Sequence, residues 1–136
     1  MSGQVFESEQ QPGGLPMKTI LIVEDSPFIS RTISAALEID GHVTHVVTTP
    51  DVALSLYHNH PRPDLMILDN HLGDGMMPGL EILDHLDHKV PVIMHCTNEY
   101  VREDAVTKGV EFVPKSAGVA GLMSKIQQIF SKSSTN

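Results

Sequence analysis

Two hydrophobic rhythms alternate along this chain. Short apolar or β-branched runs recur: TILIV (Thr19 to Val23), VTHVV (Val43 to Val47), LMIL (Leu65 to Leu68), VPVIM (Val90 to Met94) and VEFV (Val110 to Val113). Runs of this length predict strands. Between them, apolar residues fall at helical spacing. Ile29, Ile33, Ala36 and Leu37 mark a first helix, and Val52, Ala53, Leu56 and Tyr57 a second. Leu80, Ile82, Leu83 and Leu86 mark a third. A shorter fourth helix is predicted from about Glu99 to Lys108. Val119, Leu122, Met123, Ile126, Ile129 and Phe130 form the apolar face of a last one. Ser26–Pro27 and Thr49–Pro50 each set a capping hydroxyl before a proline that opens a helix. Gly41 and Gly109 stop the helices ahead of them.

Strand–helix alternation predicts an α/β fold, a parallel sheet joined by right-handed crossover helices. The near-continuous apolar runs agree, because a parallel sheet is covered on both faces. Residues 17–131 carry this pattern. Met1 to Pro16 is rich in Gly, Gln, Ser, Glu and Pro without an apolar period, and reads as a disordered tail. Residues 132–136 read as a frayed end.

Composition narrows the partners. The 136 residues suit one domain. Nine Lys and Arg stand against 17 Asp and Glu, a formal net charge of −8. Nucleic acids and anionic membranes attract basic surfaces, so neither is expected as a partner. The single cysteine, Cys96, excludes an intramolecular disulfide. No apolar run reaches the length of a membrane span and no signal-peptide pattern opens the chain, so a cytoplasmic protein is expected.

Chemistry gathers where the strands end, which is where open parallel sheets bind ligands. Glu24 and Asp25 follow the first strand, Asp69 the third, Cys96 and Thr97 the fourth, and Lys115 the fifth. Carboxylates brought together repel one another unless a cation intervenes. A hard divalent ion such as Mg²⁺ prefers their oxygens and leaves positions for phosphate. A lysine and a hydroxyl beside them can stabilise phosphoryl oxygens in transfer. The central carboxylate can then act as the nucleophile.

Taken in order, ILIVEDS, PDLMILD, VPVIM and the late VPK resemble the receiver domain of two-component response regulators. The resemblance runs from Met17 to about Ser131. It implies a flavodoxin-like, doubly wound sheet of five parallel strands in the order 2-1-3-4-5, with five helices. Asp69 would be the phosphoacceptor. Asp25, Asp69 and the backbone carbonyl of His71 would bind Mg²⁺, with Glu24 acting through water. Lys115 would pair with the phosphoryl group. Thr97 would donate its hydroxyl to it, through a one-residue slip or bulge in strand four; without one, Cys96 takes that position. Phe112 stands where the family often has a switching aromatic.

The chain also departs from the family. The segment after Asp69 carries GDGMMPG, and its helix-entry glycine, Gly79, comes two residues late. A longer loop is expected, one that brings Asp74 within reach of the site. Thr97 to Gly109 is short, which predicts a clipped fourth helix. Ser116 replaces the usual proline after Lys115, so a trans bond is expected there.

The resulting expectation is a stand-alone signalling receiver, not an enzyme. It takes a phosphoryl group from a sensor histidine kinase or phosphotransfer protein and signals to a downstream protein. The rival readings are a degenerate receiver that binds partners without phosphate, and a Mg²⁺-dependent phosphohydrolase. The eight histidines read as surface residues: neither His58 with His60 nor His85 with His88 has further ligands at metal spacing.

Overall fold

The computed structural model describes residues 17–134. The expected tail, residues 1–16, lies outside them. Five strands form one sheet: β1 (Thr19–Val23), β2 (Val43–Val47), β3 (Leu65–Leu68), β4 (Val92–Cys96) and β5 (Glu111–Pro114). All pair in parallel, in the order β2-β1-β3-β4-β5. Five helices connect or follow them: α1 (Pro27–Ile39), α2 (Pro50–Asn59), α3 (Gly79–Ile82), α4 (Val101–Thr107) and α5 (Gly118–Ser134). A 3₁₀ turn, Leu83–His85, prolongs α3, and another, Lys115–Ala117, leads into α5.

Strand periodicity divides the core in two. Ile20, Ile22, Ile67 and Ile93 face α1 and α5, packing with Ile33, Leu37, Leu122, Ile126 and Phe130. Leu21, Val23, Met66, Leu68, Met94 and Cys96 face the other side, with Ala53, Tyr57, Ile82, Leu83 and Ala105. Both polar caps form as the sequence implies. Ser26 Oγ accepts from the Ile29 N–H at 3.4 Å and Thr49 Oγ1 from the Val52 N–H at 3.4 Å.

Several boundaries move. β4 begins at Val92 rather than Val90 and runs through His95 and Cys96. Pro91 has no N–H for the ladder, although its carbonyl still accepts from Met66 N at 3.0 Å. Only four residues of the expected third helix are α-helical before the 3₁₀ turn. α4 covers Val101–Thr107, shorter than expected. α5 continues to Ser134, past the expected edge at 131. Val52, expected on the buried face of α2, is exposed. Among the described residues, no helix is long and apolar enough to cross a membrane.

Candidate functional site

The sheet ladder continues one residue past two strands and so fixes the acids. The Glu24 N–H donates to Val47 O at 3.0 Å and the Asp69 N–H to Val23 O at 3.0 Å. Glu24 and Asp69 are therefore held on rigid backbone at neighbouring strand ends. Both are buried, at 3% and 6% exposure, while Asp25 beside them is exposed. Oxygens of Glu24, Asp25 and Asp69 lie within 4.8 Å of one another.

Lys115 enters from the turn after β5. Its Nζ donates to Asp69 Oδ2 at 2.9 Å and lies 3.0 Å from Glu24 Oε1. The remaining oxygens are also occupied: Glu24 Oε2 accepts from the Ser26 N–H at 3.1 Å, and Asp69 Oδ1 from the Asn70 N–H at 2.8 Å. Burial, and then the charge of Asp69, push Glu24 above its ordinary pKa. Burial pulls the Lys115 ammonium down, but its two carboxylate partners outweigh this and leave it raised. Three carboxylates against one ammonium leave an excess of negative charge at the rim. The donor set is all oxygen, which fits a hard divalent cation.

Strand four runs without the slip that would bring Thr97 to the rim. β4 pairs with β3 and β5 in continuous register, Met94 opposite Phe112 and Cys96 opposite Pro114, with no bulge. Cys96 therefore takes the buried position on the face of Met94, and Thr97 lies exposed beyond the strand. The charges of Asp69, Lys115 and Glu24 all act on the thiol, which places it beside the acids. Burial pushes its pKa up to about 12, and the Asn70 backbone offsets only part of this. Because the thiolate is the reactive form, the native protein should resist alkylation. A rise from 9.0 to about 12 lowers the thiolate fraction about 10³-fold. Iodoacetamide at pH 8 should label Cys96 at least that much more slowly in native than in urea-unfolded protein; equal rates would place the thiol at the surface.

Phe112 is buried in the core, and the Arg102 guanidinium lies 4.6 Å from its ring centroid. Arg102 is itself held by Glu99 at 3.0 Å. Asp74 does not join the acids. Its side chain is fully exposed, with His71 Nε2 3.9 Å away. The Lys115–Ser116 bond is trans.

Two residues carry more than their sequence context suggested. Asn70 closes the long loop at its base: its carbonyl accepts from Gly79 N at 2.8 Å and its Oδ1 from Leu80 N at 2.9 Å. An Asn followed by a glycine-rich segment was the available signal. His95, inside β4, is 5% exposed, and neither ring nitrogen has a hydrogen-bond partner among the described residues. Burial, and then the charge of Lys115, lower its pKa to about 4, so the ring is neutral at pH 7.

Residues 20–127 match the family described as the response regulator receiver domain. The chain belongs to that family. It is 31% identical over 125 residues to the heme response regulator HssR of Staphylococcus saprophyticus, covering 88% of this chain and 54% of HssR. It is 37% identical over 78 residues to the nitrogen assimilation regulatory protein NtrX of Azorhizobium caulinodans, covering 55% of this chain and 17% of NtrX. The chain thus spans about half or less of these curated relatives. Among solved structures, the Mn²⁺-bound form of response regulator Rcp1 superposes with a TM-score of 0.67 at 27% identity, covering 84% of this chain and 92% of that one.

Proposed function

We propose that this receiver is phosphorylated on Asp69 by a phosphohistidine protein and signals through protein contacts. The observation that carries this reading is the Lys115 ammonium bound to both Asp69 and Glu24, with Asp25 at the open side. Asp69 is buried, and its side-chain oxygens accept from the Asn70 N–H and the Lys115 ammonium, groups that stabilise anions. In the transfer, an Asp69 oxygen attacks phosphorus, the phosphorus–oxygen bond forms, and the phosphorus–nitrogen bond of the donor breaks. The electron pair leaves with the imidazole. Lys115 neutralises charge on the phosphoryl oxygens.

Glu24, Asp25 and Asp69, with the His71 carbonyl, are the residues that would hold Mg²⁺. When bound, the ion balances the excess negative charge and draws phosphoryl oxygens to the rim. The metal-bound Rcp1 structure supports a divalent site in a relative. A sensor histidine kinase or phosphotransfer protein is the donor in this reading, and a protein partner reads the result.

The test is direct. Incubated with phosphoramidate and Mg²⁺, the wild type should gain a hydroxylamine-labile phosphoryl adduct by intact mass, and Asp69→Asn should gain none. An unlabelled wild type would sink the reading. That result would favour a receiver that binds partners without phosphate, which draws support from Cys96 at the hydroxyl position and Phe112 already buried beneath Arg102.

A further inference from the structure

His95 is the one buried side chain whose polar atoms the fold leaves unsatisfied among the described residues. Its place in β4 puts it on the face covered by α1 and α5, with Ile93. An apolar residue there would simply extend the core. A neutral imidazole with both nitrogens unpartnered instead carries an uncompensated desolvation cost. A cleft of about 140 Å³ opens over the ring, bordered by Phe28, Thr32 and Ile33 of α1, by Lys115, and by Val119 of α5. Phe28, on its border, is 79% exposed. The cleft shares Lys115 with the acidic centre, so the two lie side by side on one rim.

We propose that His95 is a specificity-determining residue for the phosphodonor protein, receiving one of its hydroxyl- or amide-bearing side chains in this cleft. The inference rests on the reading that Asp69 accepts a phosphoryl group. A protein that holds a phosphohistidine over Asp69 must cover the rim around Lys115, and the cleft is continuous with that rim. Its volume admits about one side chain. The apolar walls take the stem, and the imidazole offers one donor and one acceptor to the tip. Both nitrogens are covered in the free protein, so the side chains at the lip must move aside as the donor docks. Phe28 and Thr32 are exposed and can do so. Docking then gives the ring the hydrogen bonds that folding withheld, and covers an aromatic that otherwise faces water.

The experiment compares two phosphodonors. One is phosphoramidate, too small to fill the cleft while it reacts. The other is an autophosphorylated dimerisation domain of a sensor histidine kinase, taken from a panel as the fastest donor to wild type. His95→Val should lower kcat/KM with the kinase domain about tenfold, the worth of one good hydrogen bond, chiefly through KM. Labelling by phosphoramidate should stay within about twofold, because the acidic centre is intact. The same variant should melt at a higher temperature, since an apolar side chain replaces an unpaired polar one. His95→Gln should recover part of the transfer. Phe28→Ala, at an exposed site that cannot threaten folding, should also slow only the kinase-domain reaction.

Equal kinase-domain transfer by wild type and His95→Val overturns the inference, with the cleft then holding water alone. Equal slowing with both donors also overturns it, since His95 would then act on the acidic centre. So does a loss of self-association on His95→Val, which would assign the cleft to a second copy of this chain. A wild type that phosphoramidate fails to label removes the underlying reading itself, independently of His95.

Discussion

Metal-free Lys115→Met should be less stable than the wild type by on the order of 3 kcal/mol near pH 7. The ammonium lies between two buried carboxylates, at 2.9 Å from Asp69 and 3.0 Å from Glu24. Methionine keeps much of the stem's volume and removes the charge, so packing loss is small. What remains is a pair of carboxylates in a desolvated site with no cation between them. The deficit should depend on pH in a defined direction. Glu24 already has a folded pKa above its ordinary value, so the native state binds the extra proton and stability falls as pH rises through that window. Removing Lys115 takes away a hydrogen bond and a charge that pull Glu24 down. Its pKa climbs further, and the deficit grows as pH rises from the ordinary carboxylate range toward neutrality. Below that range Glu24 is protonated and its share of the deficit should vanish. Mg²⁺ should restore part of it at pH 7, because an ion that binds only the folded state stabilises that state. Urea melts at pH 4.5 and 7, with and without Mg²⁺, check this. A deficit that ignores both pH and Mg²⁺ would show that Lys115 serves the fold through packing alone.

The sequence makes the acids legible for a physical reason. Each follows an unbroken apolar run, and an apolar run that ends on a carboxylate marks where a buried strand meets water. That logic places Glu24, Asp25, Asp69 and Lys115 on one rim, and the strand order brings them together. It also recovers β1, β2 and β3 to the residue, since turn residues and caps bracket them. The same logic misleads in β4. His95 and Cys96 look like a polar exit from the strand, yet pairing with β5 carries on through both. A strand's polar residue can be covered by helices that are distant in sequence, as α1 and α5 cover His95. A hydroxyl at Thr97 would suit the chemistry better than the Cys96 thiol. Strand parity nevertheless puts Cys96, and not Thr97, on the face of Met94. The clamp at Asn70 has only a weak local signature, an Asn ahead of a glycine-rich segment. It joins Asn70 to residues nine and ten further on, Gly79 through its carbonyl and Leu80 through its side-chain Oδ1, and depends on where the loop returns.

That return makes Gly79 the most sensitive position outside the charged centre. A Cβ at Gly79 would lie 2.1 Å from the Asp69 carbonyl oxygen and 3.0 Å from its carbonyl carbon. A third contact, the Asn70 Cα, lies at 3.1 Å. These are backbone atoms just past β3, where the Asp69 N–H is tied to Val23 O, so no side chain can swing away to make room. Gly79→Ala must therefore displace either α3 or Asp69. Moving α3 stretches the hydrogen bonds from Gly79 and Leu80 to Asn70, at 2.8 and 2.9 Å, and lifts Ile82 and Leu83 from the core. Moving Asp69 shifts the proposed nucleophile against Lys115. Overpacking of this kind costs about 1–3 kcal/mol or more. A misplacement of about 1 Å can slow a reaction on the order of 10²-fold. Gly79→Ala should thus lower the urea midpoint and cut the phosphoramidate labelling rate of whatever fraction stays folded. Gly75→Ala is the control: it has positive φ, +76°, but open space around its Cβ, so it should cost only about 1 kcal/mol of backbone strain and leave labelling unchanged. Similar effects from the two substitutions would mean that loop strain matters. A large effect confined to Gly79 would mean that the close approach of α3 to the Asp69 backbone sets where the carboxylate stands.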